Sequence, residues 1–510
     1  MKHRRILSGL AALMLAASLP MSALAREWDI ADGDITIVAD NDGQKVSQGT
    51  ENDISDDNPV IIGNSATNTV SIVAEKDQTA SVTLSGANID GSNTVKAAVS
   101  TTGEGNVSIE LDGDSTLKSG FTHAGLEKNN GGSLTIADED KNGKLTAEGG
   151  GYGAGIGGGY NGTGSDITIS GGKVKATGGA YGAGIGGGWG GSGSDITISG
   201  GEVKATGGAF GAGIGGGYEA GGSDIAISGG EVNATGGGAY GAGIGGGWGG
   251  SGSDITISGG EVKATGGSYG AGIGGGYSGD GSDITVSGGE VKATGGVNGA
   301  GIGGGLQGKG KDITVSGDAK LKVQGGVESW TGGAGAGIGN GGSKADGNQI
   351  PGAEVGPDTS DLTTGWIEYY APGADMDKDA PSQTIVGTYI PPQPAREAAA
   401  PAQPAAPLYR VTDGDGKDVS YETTWRDGVL TVTVEADRAV LTGRLSGIAS
   451  LQAQGIERIV FITKGATSEF LTADLLAAAP ATERYALTHD GEAVTFTAGE
   501  ADVSGILVKA

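Results

Sequence analysis

Two registers of aromatic residues are the side chains whose type and spacing could do chemistry. Tyr160, Trp189, Tyr218, Trp248 and Tyr277 recur every 29 residues, with a single interval of 30. Tyr152, Tyr181, Phe210, Tyr240 and Tyr269 recur eight residues ahead of them, and both rows lapse in a sixth copy, at Asn298 and Leu306. The row from Tyr160 to Tyr277 uses Trp and Tyr and never Phe, as amphipathic rings at a wet surface do. Flat rings exposed at strand spacing would stack on sugar rings, so Tyr160, Trp189, Tyr218, Trp248 and Tyr277 are the candidate carbohydrate-binding residues. Their other role would be to close a corner of the chain. That is the expectation for the row from Tyr152, because Tyr181 shares parity with the inward Ala183 and Ile185 and so faces inward or over a corner.

An acidic row has the same period: Asp166, Asp195, Asp224, Asp254, Asp283 and Asp312. Set behind glycine, as in GGSGSDITI (190–198), it resembles a calcium-binding nonapeptide, but Thr197 stands where a large apolar residue belongs and the period is 29. An Asx turn opening the following strand is the expected role. Calcium is the one cofactor the row could hold, since stacked like charges repel and a cation would relieve them. DEDKNG (138–143) starts like an EF-hand loop but has Gly149 where a bidentate Glu is needed, so it reads as a hairpin-like turn. Glu202, Glu231, Glu261 and Glu290 beside Lys175, Lys204, Lys263 and Lys292 read as a solvated face that resists lateral aggregation. The Thr row (Thr168, Thr197, Thr256, Thr285, Thr314) is single and broken by Ala226, a poor match for an ice-binding plane. No catalytic residues emerge.

The element that must position these rows is the 29-residue unit itself, whose copies begin at Tyr152, Tyr181, Phe210, Tyr240, Tyr269 and Asn298. Within one copy Ile196 and Ile198 alternate with polar residues, as do Val203 and Ala205, and Ala183 and Ile185 alternate with glycine. Period two between Gly-rich turns means three short strands per coil. Stacked coils make three parallel sheets, an all-β right-handed parallel β-helix. Proline is absent between Pro59 and Pro351, as ladders that use every N–H require. The outward glycines of the GAGIG strand leave a bare strip that only close packing by a neighbour would explain.

The expected organisation is a signal peptide at 1–25, a β-helix at 26–345 (irregular coils to 150, regular repeats after), a solenoid cap at 346–390, a Pro/Ala linker at 391–407 and a small α+β module at 408–510. A polar cap is expected near 40–57, and GWIEYYAPG (365–373) is expected to cover the far end. In the module, GVLTVTVE and RIVFIT read as strands, TADLLAAA (472–479) as a helix, and RYALTHDGEAVTFTA as a hairpin.

The basic Lys2, His3, Arg4 and Arg5, a short apolar run and Ala23-Leu24-Ala25 predict export. The apolar run is too short to span a membrane. The chain has no cysteine, which excludes disulfides, thiolate metal sites and a lipid-modified cysteine anchor. A formal charge of −28, with no arginine between Glu27 and Ala395, argues against nucleic acid and anionic membranes as partners. The expected location is extracellular, free or held at the cell surface without a covalent anchor.

The GAGIGGG, SDITISGG and VKATGG blocks, with VTLSGANIDG, GNVSIELDGDSTLKSG, HAGLEKNNGGSLTI and KLTAEGGGYGAGIGGG, resemble adhesin-like secreted β-helix proteins of bacteria and their carbohydrate-binding domains, over about 34–345. The tail, IVFITKGATSEFLTADLLA with YALTHDGEAVTFT, resembles C-terminal modules of similar surface proteins. The resemblance implies a non-catalytic protein whose partner is an extracellular polysaccharide or cell-surface glycan. Two alternatives stand beside it. One is a structural spacer whose C-terminal module attaches to a surface. The other is a polysaccharide lyase or glycosidase, which would need an irregular patch of paired carboxylates, or a cation with a basic group.

Overall fold

The computed structural model describes residues 26–387, 409–414, 417, 419–426, 428–478, 484–499 and 501–508. The expected signal peptide and the 391–407 linker lie outside the described residues.

Each unit forms three strands, such as Ile185–Gly186, Gly193–Ile198 and Glu202–Thr206. Equivalent strands pair in parallel and in register: Ile196 lies between Ile167 and Ile225, and Ala205 between Ala176 and Ala234. Three sheets of 13, 11 and 12 strands result, so the chain is a parallel β-helix, as the period predicts. The irregular segment before residue 150 joins the same sheets. The inward Ile, Val, Leu and Ala rows make one continuous core from Trp28 to Ile367.

The Gly-rich strand is shorter than its alternation suggests, with only two residues per coil. On either side the chain curls, so that the Ala183 N–H donates to the Gly187 carbonyl at 2.9 Å. This curl also accounts for the bare glycine strip. Gly186 has φ +130, and a Cβ there would stand 2.1 Å from the Gly215 carbonyl oxygen of the next coil. A Cβ on Gly184 would meet the Thr206 amide nitrogen and the Gly213 oxygen, both at 2.6 Å. The glycines face backbone, and no side chain fits between.

Both ends are closed by unlike devices. At the start, the hairpin of Gly43–Gln48 and Glu51–Ser55 extends one sheet antiparallel. Trp28 plugs the core there at 1 % exposure, its Nε1–H donating to Asp56 Oδ2 at 2.8 Å. At the far end Trp366–Tyr370 is the last parallel rung of its sheet, and Gln383–Val386 pairs with it antiparallel. Glu354 accepts from the otherwise free amides of Gly337 (2.6 Å) and Ile338 (3.0 Å).

The C-terminal module has a core of its own, from Tyr409 to Val503. A five-stranded sheet and a four-stranded sheet pack with helices Leu445–Ala453 and Thr472–Ala478. The second helix and the Arg484–Asp490/Ala493–Ala498 hairpin match the sequence reading; the first helix was not read from the sequence. His489 is fully buried, its Nδ1 3.0 Å from the Thr463 hydroxyl and its Nε2 2.8 Å from the Ser468 hydroxyl. Burial pushes its pKa down to about 4.

Two predictions test this packing. Gly186→Ala should cost about 3 kcal/mol, because the added methyl meets backbone that cannot yield and the residue is held at positive φ. Gly238→Ala, whose Cβ meets nothing within 4 Å, should be neutral or stabilising by up to about 1 kcal/mol. Thermal melts of the two variants should separate accordingly. For His489, the folded state keeps the ring neutral while the unfolded chain binds a proton below about pH 6.5. Module stability should therefore be full above pH 6.5, fall as pH drops towards 4, and level off below. Denaturant midpoints across that range, with His489→Gln removing this component of the slope, measure it.

Candidate functional site

The two aromatic rows meet on one corner because the strand between them is so short. Tyr181 lies in the loop before Ile185–Gly186 and Trp189 in the loop after it. The loops are sewn together across coils: the Trp189 N–H donates to the Tyr152 carbonyl of the preceding coil at 2.8 Å. Tyr218 to Tyr181, Trp248 to Phe210 and Tyr277 to Tyr240 repeat that bond at 2.8–2.9 Å. The row from Tyr152 thus lies over a corner, outside the Ile/Val/Ala core.

Together the rows form one ridge of interlocked rings. Along a row the rings tend to stack, as in Tyr181–Phe210 (5.0 Å, 6°), Phe210–Tyr240 (5.2 Å, 6°) and Tyr218–Trp248 (4.8 Å, 12°). Across the rows they meet edge to face, as in Tyr152–Trp189 (4.9 Å, 81°) and Tyr240–Tyr277 (5.7 Å, 87°). Each such pair adds about 0.5–1.5 kcal/mol beyond its buried area. In mid-ridge the rings pack on one another and each is half-buried.

The N-terminal end of the ridge is different. Tyr160 is 51 % exposed and Phe121, which packs on Tyr152 at 4.6 Å, is 60 % exposed. Phe121 escaped the periodic reading because it falls outside the 29-residue register. The signal that could have found it is HAGL (123–126), an echo of GAGI one coil later, confirmed by pairing of Leu126 with Ile156. Glu127 occupies the rung where later coils have Gly157 and its equivalents. Its buried carboxylate accepts from the Ala124 N–H (2.9 Å) and Asn129 Nδ2 (2.8 Å) and pairs with His123 Nδ1 at 2.8 Å. This holds the 121–124 loop, whose Thr122 carbonyl accepts from the Tyr160 N–H at 2.7 Å. Lys128, the side chain best suited to act as a base, is enclosed instead. It is 5 % exposed, burial lowers its pKa, and its Nζ donates to the Asn130 carbonyl at 2.8 Å.

The acidic row has a different cause from the one expected. Each Asp is the third residue of its strand, not the residue before it, and sits at φ +52 to +55. Ladder pairing skips it: Ser165 pairs with Ser194 and Ile167 with Ile196. The chain bends there through the left-handed region, which Asp and Asn tolerate better than other side chains. The Asx turn is not formed. The carboxylates point outward, and Asp195 Oδ1 receives Arg444 Nη1 of the C-terminal module at 2.7 Å. Among the described residues, the one group of three carboxylates close enough to share a cation is Glu110, Asp138 and Asp140, outside the row. Asp138 there binds the amides of Asn142 and Gly143, so DEDKNG forms a corner between two parallel sheets, not a hairpin.

Asp254→Asn should raise stability by about 0.5 kcal/mol, since it keeps a left-handed-tolerant residue and removes a repulsion. The gain should shrink at high salt. Melting with and without a chelator tests calcium in the same experiment: a chelator that lowers the wild-type midpoint but not that of Asp254→Asn would assign a cation to the row.

Among the described residues no helix is long and apolar enough to cross a membrane. No curated protein and no solved structure matches the chain. Residues 141–160, 167–189, 196–218, 225–248, 255–277 and 284–306 match the model of a family described as a beta helix repeat, and in those coils the chain is similar to that family.

Proposed function

We propose that this chain is an exported, non-catalytic, adhesin-like β-helix protein that binds an extracellular polysaccharide or cell-surface glycan along its aromatic ridge. The observation that carries this reading is the ridge: ten interlocked rings on one corner with Phe121 packed at their N-terminal end, half-buried along most of its length and open at Tyr160 and Phe121. Sugars would meet Tyr hydroxyls, Trp N–H groups and ring edges along the middle, and free ring faces at the N-terminal end. A neutral glycan suits the acidic surface, as a polyanion would not. The absence of catalysis is supported by the fate of the chemical groups on the solenoid. Glu127 is spent on its own loop, Lys128 is enclosed, and in the outward rows Glu202 is paired with Lys173 at 3.4 Å.

One observation favours a second reading, the structural spacer. Stacking of ring on ring in mid-ridge accounts for those aromatics as corner packing alone. Surface attachment would then fall to the C-terminal module.

Binding of the full chain to arrayed plant, mucin and bacterial glycans separates the two. Phe121→Ala/Tyr160→Ala should weaken binding about tenfold, or 1.4 kcal/mol, with little change in melting. Trp189→Ala/Trp248→Ala should lower the melting temperature as well as affinity. If wild type binds and both double variants bind equally well, the ridge is not the site and the spacer reading gains. Unsaturated or reducing ends released from any glycan would overturn the non-catalytic assignment.

A further inference from the structure

The ridge ends where Asn298 and Leu306 replace its rings, and the solenoid does something new at that point. Both side chains are buried, Asn298 completely and Leu306 at 2 % exposure. The next rung arrives late, for Ile338 pairs with Ile302 where earlier rungs are 29 or 30 residues apart. The surplus residues form a loop over 327–334, directly beyond Asn298 on the ridge corner; the Asn298 N–H donates to the Val327 carbonyl at 3.0 Å.

The Asn298 side chain is spent entirely on that loop. Its Nδ2 donates to the Gly332 and Gly333 carbonyls, both at 2.7 Å. Its Oδ1 accepts from the Ser329 and Thr331 hydroxyls at 2.6 and 2.8 Å. From outside, Gln349 Nε2 donates to the Ser329 carbonyl at 2.6 Å and Lys344 Nζ to the Trp330 carbonyl at 2.9 Å. The backbone on every side of Trp330 is therefore held, while its indole is 77 % exposed. The loop lies over Leu306, whose Cδ1 is close to Gly332, but leaves the Trp330 ring uncovered. A large ring fixed outside the protein on a preordered loop has already met the ordering cost that binding would otherwise exact.

We propose that the Trp330 loop is the second anchor of the glycan track, with Phe121 and Tyr160 at one end of the ridge and Trp330 at the other. This rests on the glycan-binding reading of the ridge. The exposed indole is open to the C–H face of a sugar, and Lys344 and Gln349, which bond the Trp330 and Ser329 carbonyls, bring polar side chains to the same loop. The two anchors are separated by roughly 30 Å, at ~4.8 Å per coil, so only a long chain reaches both. A second copy of this protein, docking through Trp330, Val327 and Ile350, is the competing occupant.

The chain-length dependence of binding tests this. Full-length wild type, Trp330→Ala, Asn298→Ala and Phe121→Ala/Tyr160→Ala are titrated with soluble plant, mucin and bacterial glycans and with two- and three-sugar fragments cut from them. Trp330→Ala should weaken polymer binding about 5- to 20-fold, leave the fragments bound at the N-terminal end unaffected, and leave melting and oligomeric state unchanged. Asn298→Ala, which frees the loop, should reproduce the polymer loss. If Trp330→Ala binds polymer like wild type while Phe121→Ala/Tyr160→Ala does not, the second anchor is wrong and the ridge reading survives. If wild type binds none of the glycans, both fall. A wild-type oligomer that Trp330→Ala dissociates would assign the loop to self-association and overturn the anchor.

Discussion

Hydrogen bonds running from coil to coil bring neighbouring turns of backbone so close that no Cβ fits between them at the Gly-rich corner. Everything on that corner follows from this spacing. Gly184, Gly186 and their equivalents from Gly155 to Gly303 lie where a methyl would meet a carbonyl oxygen at 2.0–2.7 Å, so glycine there is a consequence of contact. A strand so confined keeps two residues and then curls, and the curl carries both aromatic rows onto the same edge. The rings inherit the rise of the backbone, which is why they stand 4.8–6.3 Å apart along the later row, close enough to stack.

The acidic row obeys a conformational demand first and an electrostatic one second. A left-handed residue is needed where each strand bends, and Asp supplies it while placing a charge in every coil. Outward placement and solvent screening keep the repulsion small. Charge is segregated along the chain: the solenoid lacks arginine beyond Arg26, and the C-terminal module supplies the Arg444 that reaches Asp195.

Departures from the repeat carry the chemically distinct groups. Glu127 replaces a corner glycine and holds the loop of Phe121 and His123; Asn298 replaces a ring and holds the loop of Trp330. In both, a buried polar side chain with all its bonds made stabilises an irregular segment that exposes an aromatic ring. The regular coils are a ruler between these two ends. Trp28 with Asp56 plugs the core at one end of the ruler, and Glu354 takes up two strand amides at the other.

The sequence by itself determined the β-helix, the inward rows of Ile, Val and Ala on its three sheets, and the columns of like residues, because period two within a period of 29 admits one way to bury those side chains. In the C-terminal module two strands, the second helix and the last hairpin were legible for the same reason, whereas helix Leu445–Ala453 and strands such as Arg438–Arg444 and Thr467–Leu471 were not. Only the tertiary structure decided which way the rings face. Three consecutive glycines erase parity, so nothing local tells inside from outside; the Trp189-to-Tyr152 bond between coils does. The bend at each Asp was equally hidden, since a left-handed residue inside a strand looks like a capping residue before it. Phe121 and Trp330 lie outside the repeat, and their exposure arises from contacts made by residues far along the chain.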